Sequence, residues 1–375
     1  MRLVLWARGA RGAACLEALL AANRRPRLLV LDPRAADSDG PLVRLADAAG
    51  IERVAPDDAN DEPLAQRIRG EVPDVMVLAG YGRILKPATL ALARLLTINL
   101  HAGRLPQYRG SSPMNWALIN GDDSFALSII RVDAGIDTGD ILAERSFPVG
   151  PDDTIVDLHR VAQREFPSML LDVLAQVEAG SLAPRKQDEA FARYYPLRFP
   201  DDGLVLWDVL TARQVHDRVR ALRPPYPGAF TYSADRRVTL ISSAMCETRV
   251  YGEPGRVYRV GPQGALVCAA DRCLWIREAR FADDGTSWLD CLRRYDQLGT
   301  LRGAALHFYS QNDTLGASRL REDVSAGVRP QARTAPTGDR SPATAADLER
   351  AATSAPARNV RHAELEKRAA EGVSA

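Results

Sequence analysis

The chain has 375 residues, 46% of them hydrophobic, and a formal net charge of +1 from 49 Lys and Arg against 48 Asp and Glu. That length allows two domains with their own cores, and the charge balance argues against a broad basic surface for nucleic acid. No apolar run approaches the roughly 18 residues of a membrane-spanning helix. No signal peptide precedes the first strand pattern, Arg2–Trp6, so a cytoplasmic location is expected. The only lysines are Lys86, Lys186 and Lys367; with so much Ala as well, this reads as genome composition, not function. Cys15, Cys246, Cys268, Cys273 and Cys291 show no metal spacing and read as small buried hydrophobes. No metal is expected.

The opening reads as strand, turn, helix, strand: Leu3–Trp6, the turn Arg8 to Gly12, a helix over Ala13–Ala22 and a strand over Arg27–Leu31. The turn lacks a full G-x-G-x-x-G pattern, so no dinucleotide site follows, although a helix N-terminus can hold a phosphate. Arg8 and Arg11 are then either solvated turn residues or anion ligands. The loop Asp32–Gly40 is more acidic than basic. Helices are expected over Leu42–Ala49 and Pro63–Ile68, and a buried strand over Val75–Ala79. Gly80 to Pro87 follows, where Arg83, Ile84 and Leu85 form a strand-to-helix turn or a ligand loop.

The stretch from Thr97 to Leu142 carries the chemistry. A strand ends in Asn99, Leu100 and His101, so the side chains of Asn99 and His101 leave one face. A Gly- and Pro-containing loop, a short helix over Pro113–Asn120 and a strand over Ala126–Val132 follow. The next tight loop holds Asp133 to Asp140. If the strands lie side by side, Asp137 meets His101 at the ends of parallel strands. An Asn, a His and an Asp so placed suit acyl transfer: amide and protonated imidazole donors for an oxyanion, and a carboxylate that orients the ring or relays protons. No Ser or Cys is paired with this His by a visible motif, which points to direct attack by an external group.

After a strand over Ile141–Val149, a long helix runs from Asp153 to about Val177, with Thr154 or Asp153 as N-cap and Pro167 expected to kink or split it. His159 on this helix reads as a surface or satisfied core residue. A polar linker leads to a second unit. There Trp207, a helix over Ala212–Leu222, the segment Arg223 to Phe230 and short strands at Val238–Ser242, Arg256–Val260, Ala265–Ala269 and Leu274–Arg277 suggest a small β-barrel. A helix is expected over Trp288–Leu298. From about Asn312 the chain is Ala-, Arg-, Pro-, Ser- and Thr-rich and is expected to be a disordered tail. The expected boundaries are 1–190, a linker 191–205, 206–282, an extension 283–310 and the tail 311–375.

The ordered set Asn99-x-His101, Leu105-Pro106-Gln107-Tyr108-Arg109-Gly110, Gly121-Asp122 and Asp133-x-Gly135-x-Asp137-Thr138-Gly139 resembles the folate-dependent formyltransferases. The resemblance covers roughly residues 1–281 and implies a fold: an α/β, Rossmann-like open sheet followed by a small OB-like barrel with a structural or dimerising role. It implies a donor, 10-formyltetrahydrofolate, and the catalytic residues Asn99, His101 and Asp137. It carries folate contacts to Arg83, Ile84, Leu85, Gly135 and Asp137, and acceptor contacts to Arg8, Arg11, Tyr108 and Arg109. In the implied mechanism an amine attacks the formyl carbon. Asn99 and protonated His101 then hold the oxyanion, while Asp137 keeps His101 charged and helps move the proton. The expected acceptor is the amine of a nucleotide-linked amino sugar, because the Asp32–Gly40 loop lacks the basic insertion of the tRNA enzymes. An ornithine-type amine comes next and initiator methionyl-tRNA third. Hydrolysis of the folate donor is the competing reaction, for which Tyr108, Arg109 and Trp116 offer needless bulk. A non-catalytic binding protein ranks last.

Overall fold

The structure is a computed structural model that describes residues 1–33, 40–234 and 236–300. The chain divides into one unit over Met1–Gln311 and another over Asn312–Ala375. The second, which carries the expected tail, lies outside the described residues, as do residues 34–39 of the acidic loop and 301–311 of the expected extension.

Strands and helices alternate first: β1 (Leu3–Ala7), α1 (Gly9–Ala21), β2 (Leu28–Leu31), α2 (Gly40–Ala48), β3 (Glu52–Val54), α3 (Glu62–Glu71), β4 (Val75–Ala79), the one-turn α4 (Pro87–Leu90) and β5 (Leu96–His101). Next come β6 (Arg109–Gly110), α5 (Pro113–Ile119), β7 (Ser124–Arg131), β8 (Ile141–Pro148), α6 (Ile155–Ala179) and β9 (Tyr194–Tyr195). The main sheet has the order β3-β2-β1-β4-β5-β7-β8. β1, β2 and β4 are buried at every position, as parallel strands covered on both faces must be. On one face Cys15, Leu16 and Leu19 of α1 join Phe166, Met169 and Leu170 of α6 in the core. On the other, Trp6 and Val30 pack with Leu64, Ile68 and Leu85. Each such side chain contributes about 1.5–3 kcal/mol by leaving water.

Two expectations are corrected here. β5 pairs parallel with β4 but antiparallel with β7, His101 facing Ser128, so the site does not lie between parallel strands. α5 has 7 residues, a rise of roughly 10 Å. That is too short to return the chain along the sheet, so β7 starts at the end where β5 finishes and runs back beside it. Pro167 does not split α6, which runs unbroken through 25 residues. Phe166, Met169, Leu170, Val173 and Leu174 are all buried against the sheet, and that burial outweighs the backbone hydrogen bond lost at the proline. Thr154 and Asp157 close the N-terminal capping box.

The rest is an antiparallel β region entered through α7 (Ala212–Ala221). Its strands β10 (Ala229–Ser233), β11 (Arg236–Met245), β12 (Val257–Gly261), β13 (Gly264–Cys268) and β14 (Cys273–Phe281) take the order β10-β11-β14-β13-β12. β10 was not expected as a strand. The helix expected over Trp288–Leu298 does not form. That segment instead makes isolated bridges, Arg256 with Gln297 and Ser233 with Leu298, with Trp288 and Leu298 buried. Cys268 and Cys273 face each other in the β13–β14 ladder and are disulfide-bonded, which corrects the reading of all five cysteines as plain hydrophobes. Cys15 does behave as a buried hydrophobe, its thiol pushed up to about 12 by burial. No described helix is long and apolar enough to cross a membrane.

Candidate active site

Three side chains meet where β5 ends. Asn99 Nδ2 lies 3.4 Å from Asp137 Oδ1, and His101 Nδ1 lies 3.5 Å from Asp137 Oδ2. His101 is buried, and its Nε2 sits 2.7 Å from the Tyr108 carbonyl oxygen. A carbonyl only accepts, so Nε2 carries a hydrogen and the ring orientation is fixed. The Nδ1–Oδ2 distance is too long for a good hydrogen bond. Nδ1 therefore remains available to a group that enters beside Asp137.

Asp137 is brought back over β5 by the hairpin loop between β7 and β8. Asp133 Oδ1 accepts from Gly135 N at 3.0 Å and from Thr138 Oγ1 at 2.6 Å, which folds the loop on itself. Asp137 has φ +54°, a left-handed backbone that Asp tolerates better than bulkier residues. Its Oδ2 accepts from Gly110 N at 2.9 Å, and Gln187 Nε2 donates to the carbonyls of Asp137 and Gly139, both at 2.7 Å. Gly139 leaves no room for a side chain, since a Cβ would collide with the Arg131 carbonyl.

Arg109 is not a wall of the cavity. It is fully buried, with its guanidinium on Glu189, Gln187 Oε1 (3.0 Å) and the Tyr194 hydroxyl (2.8 Å). Tyr108 stacks on Tyr195 at 5.0 Å between ring centroids and bonds Asp122 and Asn120 through its hydroxyl; it reaches the site through its carbonyl. Trp116 lies under Arg198 at 4.7 Å. The structure therefore places the acceptor contacts expected from Tyr108 and Arg109, and the bulk expected from Trp116, in the scaffold around the cavity.

The cavity measures about 750 Å³. One side is the Gly80–Leu85 loop, with Ile84 exposed and Leu85 buried in the core. Arg83 is held by Asp32 at 3.2 Å and by the Asp57 carbonyl. Asn60, which nothing in the sequence marked, clamps this loop through the Ile84 carbonyl (3.0 Å), Lys86 N (2.6 Å) and Thr89 Oγ1 (2.9 Å). Gly135 and Ile136 line the cavity beside Asp137, and Arg8, Arg11, Asn115, His159 and Tyr226 form another part of its wall. His159, expected on the surface or in the core, stacks on Tyr226 and bonds its hydroxyl at 2.9 Å. Burial, then the charge of Arg11, hold its pKa down at about 4. Among the described residues no cluster of His, Cys, Asp or Glu could hold a metal ion.

An open α/β sheet with an Asn, a His and an Asp gathered over the end of one central strand defines a group-transfer site of the acyl type. The chain belongs to the formyltransferase family. The family model described as formyl transferase matches residues 29–174, and that of its C-terminal domain matches 199–290. The chain is 35% identical over 239 residues to methionyl-tRNA formyltransferase of Geobacter sulfurreducens, covering 64% of this chain and 74% of that protein. It superposes on an N-formyltransferase of Helicobacter canadensis, solved with folinic acid and dTDP-3-aminofucose, with TM-score 0.59, 15% identity and coverage of 74% and 99%. HypX of Aquifex aeolicus, solved with tetrahydrofolic acid, matches with TM-score 0.54 and 18% identity over 76% of this chain; the chain spans only 44% of that protein. The formyl donor of the family is a formyl-tetrahydrofolate.

Proposed function

We propose that this protein transfers a formyl group from 10-formyltetrahydrofolate to the primary amine of a nucleotide-linked amino sugar. The observation that carries the reading is the convergence of Asn99, His101 and Asp137 on one wall of the cavity. The Gly80–Leu85 loop suits a flat heterocycle with amide edges, for it offers backbone groups together with the apolar face of Ile84.

Bound there, the folate supplies an activated formyl group, an electrophile for an amine. Asn99 Nδ2 donates to the charge that develops on the formyl oxygen. His101, held through Nε2 on the Tyr108 carbonyl, presents Nδ1 for a second hydrogen bond or for the proton of the attacking amine. Asp137 faces both groups and stabilises the charged ring. Gly110 N and Gln187 keep that carboxylate in place.

A sugar acceptor is supported by Arg8 and Arg11 in the cavity wall, and by superposition on the Helicobacter sugar enzyme over 99% of its length. Methionyl-tRNA is the second reading, favoured by 35% identity to an enzyme of that name. We read the β region entered through α7 as the OB-like domain, with the bridges through Gln297 and Leu298 joining its two edges, and the protein as cytoplasmic. The test is formylation of a panel of nucleotide amino sugars, ornithine and methionyl-tRNA. His101→Ala and Asp137→Asn should each lower the rate roughly 100- to 1000-fold. Near-normal turnover in either variant would sink the assignment, and transfer to tRNA alone would replace the acceptor.

A further inference from the structure

Arg109 stands between the two backbone groups that hold the reacting side chains. The Tyr108 carbonyl accepts from His101 Nε2 at 2.7 Å, and Gly110 N donates to Asp137 Oδ2 at 2.9 Å. Residues 108–110 therefore form one edge on which both members of the His–Asp pair are set. The 3.5 Å from His101 Nδ1 to Asp137 Oδ2 depends on where that edge stands. β6 itself is a weak support, for it has 2 residues and its sheet contains only β9 besides.

The Arg109 side chain fastens this edge to the segment that follows α6. Nη1 and Nη2 donate to the two oxygens of Glu189, and Nη1 also reaches the Tyr194 hydroxyl at 2.8 Å. Nε donates to Gln187 Oε1 at 3.0 Å. That last bond decides which way the Gln187 amide points. A guanidinium nitrogen only donates, so the atom that faces it is the amide oxygen. The amide nitrogen is thereby turned to the catalytic loop, where its two hydrogens meet the carbonyls of Asp137 and Gly139, both at 2.7 Å. The reversed amide would set donor against donor at Arg109 and acceptor against acceptor at both carbonyls.

We propose that Arg109 is a positioning residue for the His101–Asp137 pair, acting on the Asp137 loop through the Gln187 amide. This rests on the formyl-transfer reading of the cavity, and it replaces the acceptor contact that the resemblance implies for this arginine. The choice of arginine follows from the geometry. Its planar fork grips Glu189 with one edge and leaves Nε to aim at Gln187, which a single ammonium cannot do.

Steady-state kinetics and hydrogen exchange of the full-length protein test this. Arg109→Lys keeps a cation for Glu189 and the β6–β9 pairing but loses the bond to Gln187, and should lower kcat roughly tenfold or more with KM for donor and acceptor unchanged. Gln187→Ala removes the same link from its other end, so the double variant Arg109→Lys/Gln187→Ala should be no slower than Gln187→Ala alone. Gln187→Glu leaves Arg109 fully bonded and removes only the donor to the loop; it should show the same fall in kcat. In the free protein the amides of residues 133–140 should exchange faster in each variant, while those of β1 and β4 do not change. Losses that multiply in the double variant overturn the proposal, as do a rise in KM with kcat intact, wild-type turnover in Gln187→Glu, or unchanged exchange over residues 133–140 in Arg109→Lys. If the wild type transfers a formyl group to no amine, the reading of the cavity falls, and the exchange measurement still decides whether Arg109 governs the loop.

Discussion

At the residue scale, Asn99, His101 and Asp137 meet because ordered motifs put two of them two apart at a strand end and the third on the loop that faces it. Arg109 was misread from the same motif. A lone Arg beside Tyr and Gly looks like a ligand contact, and only the fold shows that Glu189, Gln187 and Tyr194 saturate it. Gln187 was invisible, since nothing in a polar linker marks one Gln whose two bonds go to backbone 48 and 50 residues away. It predicts a measurable effect: Gln187→Ala should lower kcat roughly 10- to 100-fold by loosening Asp137, with the KM for the acceptor and folate affinity little changed. A rise in KM with kcat intact would assign Gln187 to binding instead. His159 gives a pH signature. Its folded pKa of about 4 lies below the ordinary 6.5, so the unfolded chain takes up the extra proton between those values. The contribution is complete above pH 6.5 and is lost as pH falls toward 4, with a ceiling of about 3 kcal/mol. Thermal melts of His159→Gln should therefore show a shallower decline from pH 6.5 to 4 than the wild type; parallel curves would refute this.

At the element scale, the parallel core was readable from uninterrupted apolar runs, as in Val75–Ala79, because strands buried on both faces leave no other pattern. The direction of β7 was not readable, for it depends on how far α5 carries the chain rather than on the composition of β7. Pro167 shows the limit of local rules: five buried side chains within a few residues keep the helix continuous across it. Trp288 to Leu298 shows the opposite error. Its apolar spacing fits a helix, but Tyr295 N bonds the Val257 carbonyl at 2.7 Å and Leu298 N bonds the Gly255 carbonyl at 2.9 Å, so neighbouring strands capture the backbone first.

At the scale of the molecule, α7 fastens the β region to the catalytic half. Asp217 and Arg220 are almost fully buried and bonded at 2.7 Å, and Arg220 reaches the carbonyls of Gly150 and Asp153 at 3.2 and 2.8 Å. Asp217→Ala strands a guanidinium in that joint and should cost about 3–5 kcal/mol, read as a lower urea midpoint; an unchanged midpoint would show that water reaches the joint. A further connection is the short parallel pairing of β6 with β9, Arg109 beside Tyr194 and Gly110 beside Tyr195. The chain around it is open to solvent, with Phe191, Leu197 and Phe199 each more than half exposed. That strap behaves as a bowstring. Chymotrypsin cutting after Phe191 or Leu197 (Pro200 protects the bond after Phe199) should sever it without touching either sheet, and the slackened Gly110 should then release the Asp137 carboxylate it holds. The nicked protein should melt almost as before on a calorimeter and yet be inert, so that for this fold cooperative melting and catalytic competence are separable by one cut.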